Sequence, residues 1–148
     1  MPELTGHMLH FAFGADLPHA AFKRACPGAE WFGPARMEGY RLGFTAGGTP
    51  TVRPESGATV WGALWLVPAS MLPALDALAD GEYERTTRRI VSPAGPRTEA
   101  TVYLPTESGT GVMTPGLAKA LLAGAKENRL PGAYLAELRA LASSAKID

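Results

Sequence analysis

A chain of 148 residues is long enough to bury one hydrophobic core, and 46% hydrophobic with 19% charged residues is typical of a globular domain. The 14 basic and 14 acidic side chains cancel, which argues against a surface for nucleic acid or an anionic membrane. The single cysteine, Cys26, excludes an internal disulfide and a cysteine-rich zinc site, and no apolar run reaches the ~20 residues of a membrane span.

These properties predict a single domain, residues 1–148, with no nucleic-acid partner and no membrane partner. The first residues lack the basic stretch and long apolar run of a secretory signal. A lone cysteine fits a reducing compartment, so we expect a cytoplasmic protein in which Cys26 is a small packed residue.

The first predicted element is a short buried strand over residues 8–13, broken only by His10, whose side chain we expect to face outward. Gly14 and Asp16 follow, and Pro18 opens a helix over residues 18–25. A strand that passes at a glycine into a helix leaves backbone N–H groups that favour a carboxylate or phosphate. The turn is a candidate ligand-binding turn, although this segment taken alone favours a tight strand-to-helix connection without a ligand.

The middle of the chain alternates between strands and turns. Residues 33–44 predict one or two strands, and the Gly-, Pro- and Ser-rich residues 45–57 predict a long loop. Residues 60–67 form the clearest strand, which is apolar on both faces and therefore central. A helix follows, with Ser70 as its N-cap.

The last third predicts two strands and two helices. Residues 83–91 form a strand with a basic centre that we interpret as a sheet edge, and residues 98–104 form another. Thr114 caps a helix that begins at Pro115 and runs to about Asn128, and a last helix ends near Leu141 with a frayed tail. This order predicts an α+β domain whose glycine-rich sheet curls into a small barrel.

Four segments together resemble one protein family. They are FAFGADL at residues 11–17, VWGALW at 60–65, VYL at 102–104 and GAKENRLP at 124–131. In this order they resemble the FAYGSNL loop, the VWG central strand, the YL strand and the C-terminal signature of the γ-glutamylcyclotransferases, which are AIG2-like proteins. The order and spacing match along nearly the whole chain. We interpreted residues 126–128 of the last segment as packing the final helix pair.

The resemblance implies a small mixed β-barrel flanked by helices. It implies conversion of a γ-glutamyl amine into 5-oxoproline and the free amine, a small-molecule reaction that uses no metal and no cofactor and belongs to glutathione metabolism. In the family the glycine loop holds the glutamyl group and one Glu moves the protons. The matching substrate-binding residues of this chain are its loop residues and a strand tyrosine, namely Phe13, Gly14, Ala15, Asp16, Leu17 and Tyr103.

Such a reaction has clear chemical needs. The substrate's α-amine attacks its own γ-carbonyl, so holding a near-attack geometry supplies much of the acceleration. A carboxylate must take a proton from the ammonium group and deliver one to the leaving amine. The tetrahedral oxyanion needs N–H donors, which the backbone of residues 14–17 can provide. His7, His10 and His19 have no metal-ligand partner at useful spacing.

The chain departs from the family pattern in its loop. The family's YGSN is FGAD at residues 13–16, so Phe13 and Ala15 each replace a residue that carries a hydroxyl. Asp16 replaces an amide and would repel a nearby ligand carboxylate. The backbone donors are unaffected by side-chain changes.

A second departure concerns the catalytic Glu, which in the family lies in a segment like LDxxEG. An ungapped alignment on Leu75 and Asp76 places Ala79 at that position. A one-residue insertion places Asp80 there, and Glu82 lies two residues further on. Because Asp80 is one methylene shorter than Glu, a shift of about 1 Å would cost ~100-fold in rate.

Three hypotheses follow. In the first, Glu82 or Asp80 is the base of a divergent cyclotransferase. In the second, the base is lost at Ala79 and the same pocket binds or transforms another small amine or carboxylate, with an inward-facing Arg85 or Arg88 as a contact. In the third, the protein only binds a ligand or partner. For the cyclotransferase-like domain we expect a pocket between residues 13–17, residues 80–82 and the strand of Tyr103, and no segment marks an oligomer interface.

Overall fold

The structure, a computed structural model, describes residues 6–14, 16–79, 83–92, 95–106, 111 and 113–145. Within these described residues, five strands and four helices follow one another. Their bounds are β1 His7–Ala12, α1 His19–Ala25, β2 Glu30–Phe44, β3 Pro50–Pro68, α2 Leu72–Ala79, β4 Tyr83–Ser92, β5 Gly95–Pro105, α3 Pro115–Glu127 and α4 Gly132–Ala145, with a 3₁₀ turn at Ala69–Met71 before α2.

The strands close into a barrel in the order β1-β3-β2-β4-β5. Four of the five contacts between strands are antiparallel, and β1 joins β5 in parallel where His10 lies beside Thr101. The small mixed barrel flanked by helices, and with it the α+β fold class, is therefore confirmed. β3 pairs with both β1 and β2, which confirms the central position predicted for residues 60–67.

The predicted loop over residues 45–57 is wrong for most of its length. β3 begins at Pro50, and only a short turn remains, closed by a hydrogen bond of 2.8 Å from the Thr45 N–H to the Thr49 carbonyl. Residues 50–54 pair with residues 40–44 of β2, and Arg41 contacts Glu55 at 2.6 Å across the hairpin. Pairing with a long neighbouring strand outweighs the loop-like composition of this segment.

The helix boundaries were predicted with mixed success. Thr114 caps α3, because its hydroxyl accepts a hydrogen bond of 3.4 Å from the Leu117 N–H, and Pro115 is the first helical residue as expected. The Ser70 cap was wrong, since helical turns begin at Ala69. The last helix continues to Ala145 rather than ending near Leu141, in part because Ala142 is buried against the core.

The core fills the barrel and the space beneath the helices, and its largest fully buried side chains include Trp65, Phe11 and Phe22. The basic residues of β4 do not lie on a free edge, because β4 pairs with both β2 and β5. Among the described residues, no helix is long and apolar enough to cross a membrane.

Candidate functional site

A cavity of about 220 Å³ opens beside β1. Its size suits a small molecule, and its wall is mostly apolar with a few polar groups, as in typical ligand pockets. Six elements and the residues that follow β1 contribute to the lining, which consists of His10, Phe11, Phe13, Gly14, Asp16, Phe22, Ala25, Pro50, Leu75, Tyr83 and Tyr103. Four predicted substrate-binding residues, Phe13, Gly14, Asp16 and Tyr103, are thus brought together.

One backbone N–H group of the glycine turn, residues 14–17, is already hydrogen-bonded within the turn. The Leu17 N–H donates to the Gly14 carbonyl at 2.9 Å, and the Leu17 side chain is fully buried. Leu17 therefore closes the turn and does not line the cavity. A Cβ on Gly14 would lie 3.1 Å from the Pro50 ring, so a residue without a side chain lets the turn approach β3. Ala15 lies outside the described residues.

The end of α3 holds this turn in place through Gly124, Glu127 and Asn128, which we call the turn clamp. The fully buried Asn128 donates from Nδ2 to the Leu17 carbonyl at 3.0 Å and to the Gly124 carbonyl at 2.8 Å. Glu127 Oε1 accepts from the His19 N–H at 2.9 Å, at the start of α1. The prediction that residues 126–128 pack the last helix pair was therefore incomplete, because two of them secure the turn instead.

His10 is a cavity residue that the sequence reasoning misplaced. Its side chain is buried in the cavity wall, only 2% exposed, and does not face outward. The imidazole stacks on Phe22 with ring centres 5.0 Å apart, and its Nδ1 lies 3.2 Å from Thr101 Oγ1. Nε2 lies 3.8 Å from Asp16 Oδ2. The continuous apolar run around His10, rather than an alternating pattern, is the signal for a strand buried on both faces.

Tyr103 belongs to a second polar group at the cavity. Its hydroxyl donates to Asp76 Oδ1 at 2.6 Å, and the other oxygen of Asp76 lies 3.5 Å from the Arg85 guanidinium. Burial, and then the hydrogen bond to Asp76, raise the pKa of Tyr103, so it remains a neutral donor at physiological pH. Arg85 is paired with Asp76, and Arg88 lies 5.8 Å from the Tyr40 ring centre, so both of these arginines have local partners.

The two predicted catalytic carboxylates, Asp80 and Glu82, lie outside the described residues. Their position along the chain is nevertheless informative. α2 ends at Ala79, directly before them, and β4 begins at Tyr83, directly after them. Leu75 of α2 and Tyr83 of β4 both line the cavity.

Two other kinds of chemistry, a reactive thiol and a metal site, find no support in the described residues. Cys26 is fully buried at the end of α1, where burial raises the pKa of its thiol and disfavours the reactive thiolate. In the part of the chain that the structure describes, no three His, Cys, Asp or Glu side chains are arranged to hold a metal ion.

Sequence comparison places these features in a family. The model of the family described as "Gamma-glutamyl cyclotransferase, AIG2-like" matches residues 11–122. A human protein named gamma-glutamylcyclotransferase is 29% identical over 146 aligned residues, which cover 90% of this chain and 78% of the human protein. Its mouse counterpart, with the same name and coverage, is 27% identical.

Structural comparison agrees. A solved structure named gamma-glutamyl cyclotransferase superposes with a TM-score of 0.85 at 28% sequence identity, and the match covers 91% of this chain and 88% of that structure. The match extends over nearly the whole molecule, so the barrel and the helices around it are shared.

Proposed function

Because the chain belongs to the gamma-glutamyl cyclotransferase, AIG2-like family, we propose that it cyclises a γ-glutamyl amine to 5-oxoproline and releases the free amine. The observation that supports this most directly is the cavity. It joins the glycine turn, Leu75, Tyr83 and Tyr103 in one wall. The substrate is a small molecule, and a volume of about 220 Å³ suits the glutamyl group with the leaving amine towards solvent.

The reaction transfers two protons in total. The α-ammonium loses one proton, and the free amine then attacks the γ-carbonyl carbon to form the ring C–N bond. The ring nitrogen loses a second proton, the tetrahedral intermediate collapses, and the bond to the leaving nitrogen breaks. Both protons end on the released amine, so the site needs groups that accept and return protons in sequence.

We assign the first proton transfer to a carboxylate of residues 80–82, with Glu82 preferred over Asp80. Leu75 and Tyr83, which precede and follow these two residues in the chain, line the cavity, and this supports the assignment. Glu82 has the longer side chain, so it reaches further from the backbone than Asp80.

Substrate binding is assigned to the turn and to β5. We propose that Phe13, Gly14, Ala15 and Asp16 surround the glutamyl group, that Leu17 closes the turn, and that the Tyr103 hydroxyl faces the substrate. The carboxylate of Asp16 attracts an ammonium group and repels a carboxylate. The α-ammonium of the substrate therefore lies on the Asp16 side of the cavity.

A mass-spectrometric assay tests the reaction. The wild-type protein, Glu82→Gln and Asp80→Asn are each incubated with a panel of γ-glutamyl amino acids and γ-glutamyl amines. We expect 5-oxoproline from the wild type, a loss of about 100-fold or more for Glu82→Gln and a smaller loss for Asp80→Asn. Full activity in both variants and in the double variant would remove the carboxylate from the mechanism.

The same panel separates the alternatives. Thermal stabilisation by a γ-glutamyl compound without any product would indicate a pocket that binds but does not react. Neither stabilisation nor product would direct the search to other small amines and carboxylates. We place the reaction in the cytoplasm, since the only cysteine has no possible disulfide partner within the chain.

A further inference from the structure

His10 lies in the cavity wall, yet the reaction proposed above gives it no role. The ring is held on several sides: it stacks on Phe22, its centre lies 5.5 Å from that of Tyr103, and Nδ1 contacts Thr101. Imidazole is the side chain best suited to exchange protons near neutral pH. A fixed imidazole at a cavity of this size is therefore a candidate for proton transfer to or from a bound ligand.

The hydrogen bonds of Thr101 determine which ring nitrogen carries the proton. The Thr101 hydroxyl donates its single hydrogen to the Leu9 carbonyl at 3.3 Å. It can therefore only accept from His10, so Nδ1 is the donor in the contact of 3.2 Å. The neutral ring then has its lone pair on Nε2. Within the part of the chain that the structure describes, Nε2 has no hydrogen bond.

Among the described residues, the carboxylate nearest to Nε2 is that of Asp16. Its Oδ2 lies 3.8 Å from Nε2, which is beyond hydrogen-bond length but within the range of an ion pair. Once Nε2 is protonated, the carboxylate stabilises the resulting cation. The Asp16 side chain is 41% exposed, so water screens this attraction and makes it modest.

We propose that His10 is a second proton carrier of this pocket and accepts protons at Nε2. The inference rests on the proposed function, in which two protons leave the α-nitrogen. The carboxylate of residues 80–82 takes the proton of the α-ammonium and returns it to the released amine. After the new C–N bond has closed the 5-oxoproline ring, His10 Nε2 takes the proton from the nitrogen of that ring. It then gives this proton to the leaving nitrogen as the bond between the γ-carbon and the leaving nitrogen breaks. The imidazole returns to its neutral form, so no other reactant is needed.

Steady-state kinetics with γ-L-glutamyl-L-alanine test the role. His10→Asn places an amide near Nδ1, where it still donates to Thr101, and removes the acceptor at Nε2. We expect kcat to fall about 100-fold or more with KM changed less than threefold. The matched control is His7→Asn, the same substitution at an exposed position of the same strand, which leaves kcat unchanged. Asp16→Asn lowers kcat by about threefold to tenfold and also raises KM, because the lost charge faces both Nε2 and the substrate's α-ammonium.

A second readout does not depend on turnover. Ring ¹⁵N shifts of the wild-type protein report the tautomer directly, and the signals of its three histidines are assigned by comparison with His7→Asn and His19→Asn. We expect neutral His10 to carry its proton on Nδ1, and Thr101→Val to remove this preference. A neutral ring protonated on Nε2 would overturn the proposal, even if His10→Asn failed to fold.

The outcomes separate the two levels of inference. A wild type that forms 5-oxoproline together with an equally active His10→Asn would overturn the role of His10 and leave the reaction standing. A wild type that forms no product would overturn both the proposed reaction and the role of His10 in it. The ring shifts would then show whether the pocket still holds an imidazole that can accept a proton, for a substrate other than a γ-glutamyl compound.

Discussion

The Tyr103 hydroxyl shows how single residues support the cavity. It is the donor in a short hydrogen bond of 2.6 Å to Asp76, which connects β5 to α2. Hydrogen bonds to a charged acceptor are stronger than neutral ones, although the exposure of Asp76 weakens this one. Because Asp76 also contacts Arg85, the three side chains hold α2, β4 and β5 together beside the cavity.

Tyr103→Phe should lower the free energy of unfolding by about 1 kcal/mol at neutral pH, since the hydrogen bond is lost and the ring is kept. The pKa of Tyr103 is raised in the folded protein, first by burial and then by Asp76. Its stabilising contribution is therefore complete below the ordinary tyrosine pKa of about 10 and is lost as the pH rises further. Urea unfolding of both proteins between pH 7 and pH 11 measures this.

The difference between the two proteins should shrink above about pH 10. A difference that stayed constant across this range would contradict the Asp76 contact. Tyr40→Phe, which removes the hydroxyl from another half-buried tyrosine, controls for the general effect of losing a phenol group.

At the scale of elements, α3 positions the glycine turn through backbone contact as well as hydrogen bonds. A Cβ on Gly124 would lie 2.7 Å from the Pro18 nitrogen and 2.9 Å from the Leu17 carbonyl carbon. These are backbone atoms, so they cannot move aside as a flexible side chain would. A residue without a side chain is needed for α3 to lie this close to the turn.

Gly124→Ala should therefore destabilise the protein by about 2–3 kcal/mol, despite the higher helix propensity of alanine. Gly116→Ala in the same helix is the matched control. Its Cβ would meet no atom within 4 Å, so we expect no loss of stability and a gain of up to about 1 kcal/mol. Thermal unfolding of both variants measures the contrast, and equal effects would show that α3 does not press against the turn.

Asn128→Asp tests the hydrogen bonds of the turn clamp without a change of shape. The substitution replaces an amide that donates to two carbonyl oxygens with a carboxylate that repels them, in a fully buried position. We expect a loss of about 3 kcal/mol, measured by urea unfolding. Glu127→Gln keeps an acceptor for the His19 N–H at an exposed site, so its cost should stay below about 1 kcal/mol.

The helices and strands were easier to predict from the sequence than the contacts between them. The apolar run of residues 60–67 and the Thr114–Pro115 start of α3 are local signals, so both were predicted correctly. The extension of β3 back to Pro50 depends on a partner strand, which local composition does not reveal. His10 was placed wrongly because its burial depends on contacts with Phe22 of α1 and Thr101 of β5, which are made only when the chain folds back. Asn128 reaches a carbonyl 111 residues away, a contact that no short pattern predicts.

At the scale of the whole molecule, the helices are attached to the barrel at several separate points. Asn128 binds the turn after β1, and Glu137 of α4 lies 4.0 Å from Arg41 of β2. The Gly111 N–H donates to the Phe44 carbonyl at 2.7 Å, which ties the segment before α3 to the end of β2. Several attachments of this kind favour one cooperative unit over two separable ones, and the single domain over residues 1–148 stays a prediction.

Equilibrium unfolding in urea with two probes tests that unit, because the probes report on different parts of the molecule. The three tryptophans, Trp31, Trp61 and Trp65, all lie in β2 and β3, so their fluorescence follows the barrel. Far-ultraviolet circular dichroism at 222 nm is dominated by helices, of which α3 and α4 are the longest described. We expect both signals to give one transition with the same midpoint and slope. Gly124→Ala should shift both midpoints equally, since α3 cannot loosen without releasing the turn. If the circular dichroism transition instead came at lower urea than the fluorescence transition, the two helices would separate from an intact barrel, and the domain would consist of two units.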